Sequence, residues 1–299
     1  MSDPKWDDLR VFLAVAREES LSGAGKVLKL DPATVGRRIA RLEGDLAAPL
    51  FLKSPQGYAL TPSGLRLLDK AITVETAMIG LQDDITGGAG ALTGQIRLGA
   101  PDGAANYLLP QVCTQICAKN PGLDVQLVAL PRVFNLSKRE ADMALTVSPP
   151  ATGRLTVQKL SDYKLHLAAS DSYLAQNGTP NSLRDLKDHK IIGYIPDLIF
   201  DKELDYLSEI GAPRVDFASN SVSVQINWAR SGAGLVIAHD FALPNTPELQ
   251  KLMTDHVSLT RSFYLVRHAD DRKIARLTRF AEELAHHIPR EIARLERQT

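Results

Sequence analysis

The 299-residue sequence contains only two cysteines, no excess of either charge and no long apolar run. Its 35 basic residues balance its 35 acidic residues, which excludes a globally basic protein that coats nucleic acid but leaves room for a local basic patch. No apolar stretch approaches the roughly 20 residues that a membrane-spanning helix needs. The N-terminus is acidic and lacks the apolar core of a secretory signal, so we expect a cytoplasmic protein.

The two cysteines, Cys113 and Cys117, lie four residues apart in a segment with a helical pattern. Two thiols at this spacing could bind a metal ion, but protein metal sites usually take four ligands, and no further candidate lies nearby in the sequence. We therefore expect two small apolar residues on a buried helical face, and we predict no metal site and no cofactor. Reduced thiols are also typical of a cytosolic protein.

The pattern of the sequence changes at residues 87–91, which are small and flexible and which we interpret as a linker. Before them the periodicity is almost wholly helical. After them, alternating strand patterns at residues 95–99 and 123–128 and a short apolar strand at residues 143–147 are interspersed with helical segments such as residues 107–120. This rhythm predicts α/β units on a largely parallel sheet.

Two short helical patterns follow one another in the N-terminal part of the chain. Ser20 is a typical N-cap residue for the first. The Asp31-Pro32 pair predicts the start of the second, because aspartate caps free N–H groups and proline suits the first turn. One face of the second helix can contact phosphates and base edges; a solvated basic face on an ordinary helical domain is the alternative. That face carries Thr34, Arg37, Arg38 and Arg41, opposite Val35, Ile39 and Leu42.

The order of these motifs along the chain resembles that of LysR-type transcriptional regulators. The resemblance implies an N-terminal, all-α winged helix-turn-helix with a long linker helix, and a C-terminal α/β effector domain of two lobes that is similar to periplasmic binding proteins. Gly25 and Asp102 depart from the family pattern, which commonly has alanine at the first place and serine or threonine at the second. The matching segments are residues 6–12, 20–28, 34–43, 50–51 and 60–64.

The resemblance also implies a division into three parts. The winged helix-turn-helix would span residues 1–61, the dimerising linker helix and its hinge residues 62–91, and the effector domain residues 92–299. The first lobe of the effector domain would comprise residues of about 92–161 and 266–299, and the second lobe residues of about 162–265.

The predicted DNA-binding surface combines the second helix of the motif with a wing over residues 50–61. The helix from Asp31 to Leu46 would enter the major groove. The wing would contact phosphate or the minor groove, which positions a protein without specifying sequence. The residues predicted to contact DNA are Ser22, Thr34, Val35, Arg37, Arg38, Arg41, Lys53 and Gln56.

The linker helix is predicted to start at Thr61-Pro62, which repeats the cap-and-proline pattern. From there apolar residues recur at alternating steps of four and three, the spacing of a coiled-coil seam. A long helix packed within one chain is the alternative, but a helix that is apolar on two edges needs more than one partner. We predict dimerisation through this helix, with a seam formed by Leu67, Ala71, Val74, Met78, Leu81 and Ile85.

The predicted effector site lies beyond the carboxyl ends of strands, where ligands bind in open α/β sheets. Asp102 could receive an ammonium group and Arg132 a carboxylate, which would suit an amino acid or another organic acid. In the alternative, Asp102 caps its own helix and Arg132 is solvated. The residues predicted to line the site are Pro101, Asp102, Gly103, Arg132, Phe134, Val147, Ser148, Tyr194, Ile195, Asn220, Ser221 and Val222.

Together these features predict a DNA-binding transcriptional regulator controlled by a small organic effector. Its expected partners are double-stranded operator DNA, the effector, further copies of itself in a dimer or tetramer, and RNA polymerase, with no membrane. Two other classes stay open: a small-molecule binding protein whose N-terminal domain only dimerises, and an α/β enzyme. Catalysis is the least expected, because the sequence has no Gly-x-Ser-x-Gly or His-Glu-x-x-His motif and only one adjacent His–acid pair, His239-Asp240.

Overall fold

The computed structural model of the protein describes residues 4–55, 57–86, 92–129, 140–150, 154–212 and 214–299, and for residues 79–80, 82–86 and 273 it describes the backbone alone. The chain divides near residue 88 into two compact units, and residues 270–275 belong to the first. Within the described ranges, every helix falls short, in length or in apolar character, of what a bilayer crossing requires.

The first unit consists of three short helices, a two-stranded hairpin and one long helix. The second and third helices begin where the sequence predicts. Ser20 Oγ accepts a hydrogen bond from the Gly23 N–H (2.9 Å), and Asp31 Oδ1 accepts one from the Ala33 N–H (2.8 Å). The elements are α1 (Trp6–Glu18), α2 (Leu21–Leu28), α3 (Pro32–Asp45), β1 (Phe51–Ser54), β2 (Gly57–Leu60) and α4 (Pro62–Thr86).

The turn between α2 and α3 explains the glycine at position 25. The Leu30 N–H donates to the Gly25 carbonyl (2.9 Å), which folds the chain tightly back onto the end of α2. A side chain at position 25 would place its Cβ 2.6 Å from the Leu30 carbonyl oxygen. Glycine therefore fits this turn without a backbone shift.

Apolar side chains from α1, α3, the hairpin and the first half of α4 form the core of the first unit. The ring of Phe12 on α1 lies 5.3 Å from that of Phe51 on β1. Burial of each large side chain contributes about 1.5–3 kcal/mol, so packing, rather than helix propensity, stabilises helices this short. Buried members of the core include Phe12, Leu13, Val35, Ile39, Leu42, Leu50, Ala71 and Ile72.

The second unit alternates strands with helices, as the sequence predicts. Its strands are β3 (Gly94–Ala100), β4 (Leu123–Ala129), β5 (Met143–Thr146), β6 (Leu155–Ser170), β7 (Ile191–Gly193), β8 (Phe217–Ala218), β9 (Leu235–His239), β10 (Leu249–Leu252) and β11 (Ser258–His268). Its helices are α5 (Asp102–Tyr107), α6 (Leu109–Lys119), α7 (Asp171–Asn177), α8 (Tyr206–Glu209), α9 (Val222–Arg230) and α10 (Ala275–Glu296).

One mixed sheet contains these strands in the order β4-β3-β5-β11-β6-β9-β7-β8, with β10 paired to β6. Two parallel groups, β4-β3-β5 and β9-β7-β8, define the first and the second lobe. The long strands β6 and β11 run antiparallel and pass from one lobe to the other, with a bulge between Phe263 and Tyr264. The prediction of a largely parallel sheet therefore holds within each lobe, and the crossing strands make the whole sheet mixed.

The helical region after β3 differs from the sequence prediction of one helix over residues 107–120. Helix α5 begins at Asp102 and ends at Tyr107, and α6 begins again at Leu109. Pro110 lacks the N–H that an uninterrupted helix would use at this point, so the helix breaks there. Asp102 thus lies in the first turn of its own short helix, close to the carboxyl end of β3.

Candidate nucleic-acid interface and ligand cleft

The exposed face of α3 presents hydroxyl and guanidinium donors near the start of the helix. Arg37 is exposed, and its Nη2 donates to Thr34 Oγ1 (3.1 Å), which holds the two side chains together. Among the described residues, Arg37 forms no ion pair. Ser22 on α2 is exposed as well. The N-terminal residues of such a helix are the ones that reach base edges in helix-turn-helix proteins.

Val35 is not part of this face, and its predicted DNA contact is wrong. Its side chain is fully buried, together with Ile39 and Leu42. Steps of four and three residues return to the same side of a helix. Val35 therefore belongs to the core of the first unit, although it is adjacent in sequence to Thr34.

A buried carboxylate on α1 holds the other basic residues of α3. Asp8 is fully buried and accepts two hydrogen bonds from Arg41, one of them from Nε to Oδ2 at 2.8 Å. Nη1 of Arg38 lies 3.8 Å from a carboxylate oxygen of Asp8 and 3.8 Å from one of Asp7. The bond to Asp8 raises the pKa of Arg41 above its ordinary value. Sequence analysis missed Asp8, because its partner lies 33 residues further along the chain.

The wing is an antiparallel hairpin of β1 and β2, and hydrogen bonds to a side chain of α3 fix the start of its first strand. Glu43 Oε1 accepts hydrogen bonds from the backbone N–H groups of Leu50 (2.7 Å) and Phe51 (3.3 Å). Lys53 is exposed on β1, where its ammonium group can reach a phosphate. Gln56, the other predicted wing contact, lies outside the described residues.

The first half of α4 is part of the domain that precedes it. Leu67 packs against the core of the first unit, and Ala71 is buried within that core, 1% exposed. The prediction that Ala71 forms the dimer seam is therefore wrong. Residues from both apolar edges of α4, among them Leu67, Leu68 and Ile72, pack in this core, so the first half of the helix has its partner within the unit.

The second half of α4 leaves apolar side chains uncovered within the first unit. Val74, Met78 and Leu81 are 40%, 43% and 53% exposed. Their spacing of four and then three residues is that of a coiled-coil seam. The side chain of Ile85, the last predicted seam residue, lies outside the described residues.

Asp102 bridges the two lobes of the second unit through the start of α9. Its Oδ2 accepts hydrogen bonds from the Ser223 N–H (2.9 Å), Ser223 Oγ (3.1 Å) and Ser221 Oγ (3.1 Å). Its Oδ1 accepts one from Asn106 Nδ2 (3.2 Å). The sequence leaves open whether Asp102 receives a ligand or caps its own helix; the structure shows that it caps a helix of the opposite lobe.

A second polar contact joins the lobes at Ser148, which follows β5. Ser148 Oγ donates a short hydrogen bond to Asp201 Oδ2. The other oxygen of Asp201 accepts from the Glu203 N–H (3.0 Å). Two sets of hydroxyl–carboxylate contacts, one at Asp102 and one at Ser148, therefore join the two lobes across the cleft.

The structure brings only part of the predicted effector set to an accessible position. A side chain at Gly103 would place its Cβ 3.2 Å from His239 Cε1, so this position admits only glycine or a local shift. Val147 and Val222 are buried and can only support the cleft. Pro101, Ile195 and Asn220 are half-buried. Arg132 and Phe134 lie outside the described residues.

The second lobe contains a cavity of about 460 Å³, a size within the range of about 300–1,000 Å³ that small-molecule sites have. Its walls combine apolar side chains and the rings of Tyr194, Phe200 and Tyr206 with the charged side chains of Lys202 and Asp205. Asp201 also lines it, so the cavity adjoins the contact with Ser148. Sequence analysis found Tyr194 but missed residues 196–207, because their short 3₁₀ turns have no recognisable periodicity.

An aromatic cluster next to Tyr206 contains three buried polar atoms without a hydrogen-bond partner among the described residues. They are the hydroxyls of Tyr163 and Tyr206 and Nδ1 of His239. The rings of Tyr163 and His239 stack with centroids 5.5 Å apart. Burial lowers the pKa of His239 to about 4, so the ring is neutral at pH 7. Burial also raises the pKa of both tyrosines.

Asp240 pairs with a distant histidine rather than with its neighbour His239. Its Oδ1 lies 2.7 Å from His166 Nδ1, and its Oδ2 lies 3.2 Å from Lys251 Nζ. These contacts tie β6 and β10 to the turn that follows β9. In the part of the chain that the structure describes, no three His, Cys, Asp or Glu side chains are grouped as metal ligands.

The two cysteines are free and half-buried on α6. Burial raises the pKa of Cys113 to about 12 and also raises the pKa of Cys117. Since the thiolate is the reactive form of cysteine, neither side chain is suited to act as a nucleophile at pH 7.

Comparison with known protein families identifies the family of this chain. The profile of the LysR substrate binding domain matches residues 89–289, more than half of the chain. The chain belongs to the LysR family of transcriptional regulators. The profile of the bacterial regulatory helix-turn-helix proteins of the lysR family matches residues 6–65. This LysR-type regulator thus combines a DNA-binding and an effector-binding domain, and the predicted family and fold class are confirmed.

Relatives cover almost the whole of this LysR-type regulator. It is 28% identical over 249 residues to the transcriptional activator TtdR of Escherichia coli, which covers 80% of this chain and 78% of TtdR. The structure of CrgA from Neisseria meningitidis matches with a TM-score of 0.59 and 24% identity, over 94% of this chain and 98% of CrgA. Full-length OxyR from Pseudomonas aeruginosa matches with a TM-score of 0.70 and 19% identity, over 96% and 98%. These structures share its fold.

Proposed function

We propose that this regulator reads operator bases with Thr34 and Arg37 and contacts phosphates with Arg38, Arg41 and Lys53. The observation that carries the proposal is the environment of the arginines on α3. Arg37 is exposed and free of acidic partners among the described residues, so its guanidinium can form a fork onto a guanine. The side chains of Arg38 and Arg41 contact acidic residues of α1 but remain 31% and 48% exposed, so both can still reach a phosphate.

The same proposal assigns residues 1–61 to DNA, residues 62–91 to dimerisation and the hinge, and residues 92–299 to effector binding. Val74, Met78 and Leu81 support the dimer, because an exposed coiled-coil seam is covered when a second copy binds. A dimer also offers two recognition helices to two half-sites one helical turn apart. The proposal also includes a cytoplasmic location, where a DNA-binding regulator meets its operator, and RNA polymerase as a further partner.

The proposed effector site is the cleft between the lobes together with the adjoining cavity of the second lobe. The bulge in the crossing strands and the two polar contacts at Asp102 and Ser148 support a closed and an open arrangement of the lobes. A small molecule shifts the population between two such states only if it binds one of them more tightly. The effector therefore acts through its difference in affinity for the closed cleft.

The DNA assignment is tested by fluorescence anisotropy with DNA from the protein's own upstream region and with a scrambled fragment. Arg37→Ala should lower the preference for the specific fragment by about 1–3 kcal/mol, because a bidentate base contact is lost. Arg38→Ala should weaken binding to both fragments alike and reduce the slope of log K against log salt by about 1, because one phosphate contact is lost.

Arg66→Ala is the matched control, because Arg66 is an exposed arginine at the start of α4. It should bind both fragments as the wild type does. Unchanged sequence preference in Arg37→Ala would remove that residue from the base-reading set. Absence of even non-specific, salt-dependent binding by the wild type would contradict the whole assignment of α3.

A further inference from the structure

The cleft between the lobes contains a negatively charged group of the chain itself, the carboxylate of Asp102. Helix α9 begins with the hydroxyls of Ser221 and Ser223, and Ser221 Oγ also caps the Val224 N–H (3.3 Å); the start of a helix favours negative charge. Asp102 takes up three donors at this helix start, at distances of 2.9–3.1 Å. Its sequence separation from Ser221 is 119 residues, so these bonds exist only when the lobes meet.

The carboxylate of Asp102 prevents a second anion from binding to the same donors at the start of α9. A ligand carboxylate on the same donors would lie next to the carboxylate of Asp102, and two like charges in one site force one group to take up a proton or to leave. The hydrogen bonds of Asp102 come from two serines and Asn106, and among the described residues no lysine or arginine pairs with it. No positive charge is therefore present there to offset a second negative one.

We propose that Asp102 determines effector specificity: it serves as a built-in anion that closes the lobes and excludes small molecules with a carboxylate at the α9 end of the cleft. The regulator then responds to a compound that presents no carboxylate to the start of α9, and the adjoining cavity beside Tyr194 and Tyr206, whose lining also includes Lys202 and Asp205, holds the rest of that compound. This ligand class rests on the proposed role of the cleft as the effector site. The bond between Asp102 and α9 does not depend on that role.

The test is chemical rescue of the full-length chain without DNA or effector. Asp102→Ala removes only the carboxylate, and formate is the smallest ion that replaces it. Thermal unfolding of the second unit is followed by fluorescence of Trp228 on α9 in a Trp6→Phe background. Asp102→Ala should lower the melting temperature by roughly 4–8 °C, because a set of charged hydrogen bonds is lost. Formate should then restore at least half of that loss relative to chloride at equal ionic strength.

Two further variants test whether the rescue by formate depends on the donors at the start of α9. Asp124→Ala removes an exposed carboxylate from β4 of the same lobe and should show no response to formate. Adding Ser223→Ala to Asp102→Ala removes a donor hydroxyl and should weaken the rescue. The proposal is overturned if formate stabilises the wild type as much as Asp102→Ala, or if formate and chloride act alike on Asp102→Ala.

If Asp102→Ala does not fold, Asp102→Asn keeps the shape of the side chain without its charge. Hydrogen exchange of the Ser223 N–H, which Asp102 protects in the wild type, should then become faster, and an unchanged exchange rate would overturn the proposal. Because neither measurement uses DNA, a failure of operator binding would leave both results interpretable.

Discussion

The buried ring of His239 makes the stability of the second unit depend on pH. Its pKa is about 4 in the folded chain, against an ordinary value of 6.5. Between these pH values the unfolded chain binds a proton that the folded chain does not, so the free energy of unfolding decreases as pH falls from about 6.5 to about 4. Above pH 7 both states are neutral at this ring, and the contribution does not change.

The size of the effect follows from the difference between the two pKa values. A tenfold change in proton affinity corresponds to about 1.4 kcal/mol, so the wild type should lose about 3 kcal/mol of stability through this one residue between pH 7 and pH 4. His239→Gln has no titratable ring and lacks this loss. The free energy of unfolding of the wild type minus that of His239→Gln should therefore fall by about 3 kcal/mol when the pH is lowered from 7 to 4. This change does not depend on how large the difference is at pH 7.

Urea unfolding at a series of pH values measures this difference, with Trp228 as the reporter in the Trp6→Phe background. His256→Gln is the matched control, because His256 is exposed in the folded chain and its variant should follow the wild type at every pH. A difference between wild type and His239→Gln that stays constant with pH would refute the reasoning. It would mean that the folded chain protonates His239 as readily as the unfolded chain does.

Two other predictions concern the linker helix and the cysteines. Met78→Asp should halve the mass of the protein in light scattering, because it places a charge in the exposed seam of α4, whereas Arg66→Asp on the same helix should leave the mass unchanged; a dimeric Met78→Asp would exclude this seam. Cys113 and Cys117 should react with iodoacetamide at pH 7 much more slowly than glutathione does, because burial raises their pKa. Rapid labelling before denaturation, or peroxide-dependent DNA binding that is lost in the double serine variant, would contradict this.

Local signals in the sequence predict most of the first unit. The capping side chains of Ser20 and Asp31 act within three residues of themselves, so the starts of α2 and α3 can be found without knowledge of the rest of the fold. Faces of helices are harder to assign. Val35 and Ala71 are predicted at binding surfaces, and both are core residues, because periodicity defines which residues share a face but not which partner covers that face.

Non-local pairs account for what the sequence could not predict in the second unit. Ser223 and Asp102 lie 121 residues apart, and His166 and Asp240 lie 74 residues apart. No spacing rule relates such residues, because the sheet order β3-β5-β11-β6-β9 brings them together. The lining of the cavity is missed for a different reason. Residues 196–207 are irregular, and their positions depend on packing against strands rather than on their own propensities.

In each unit, the surface proposed to bind a partner also contains a carboxylate of the chain itself. That carboxylate competes with an anionic partner for the same hydrogen-bond donors. Asp8 bonds Arg41 on the face proposed for DNA, and Asp102 bonds the start of α9 in the cleft proposed for the effector. Each internal carboxylate satisfies donors that would otherwise be left for phosphate or ligand, so it lowers the affinity for any anion that must displace it. Removal of Asp8 or Asp102 should therefore tighten anion binding while it weakens the fold, a pairing of effects that loss of a purely structural contact would not produce.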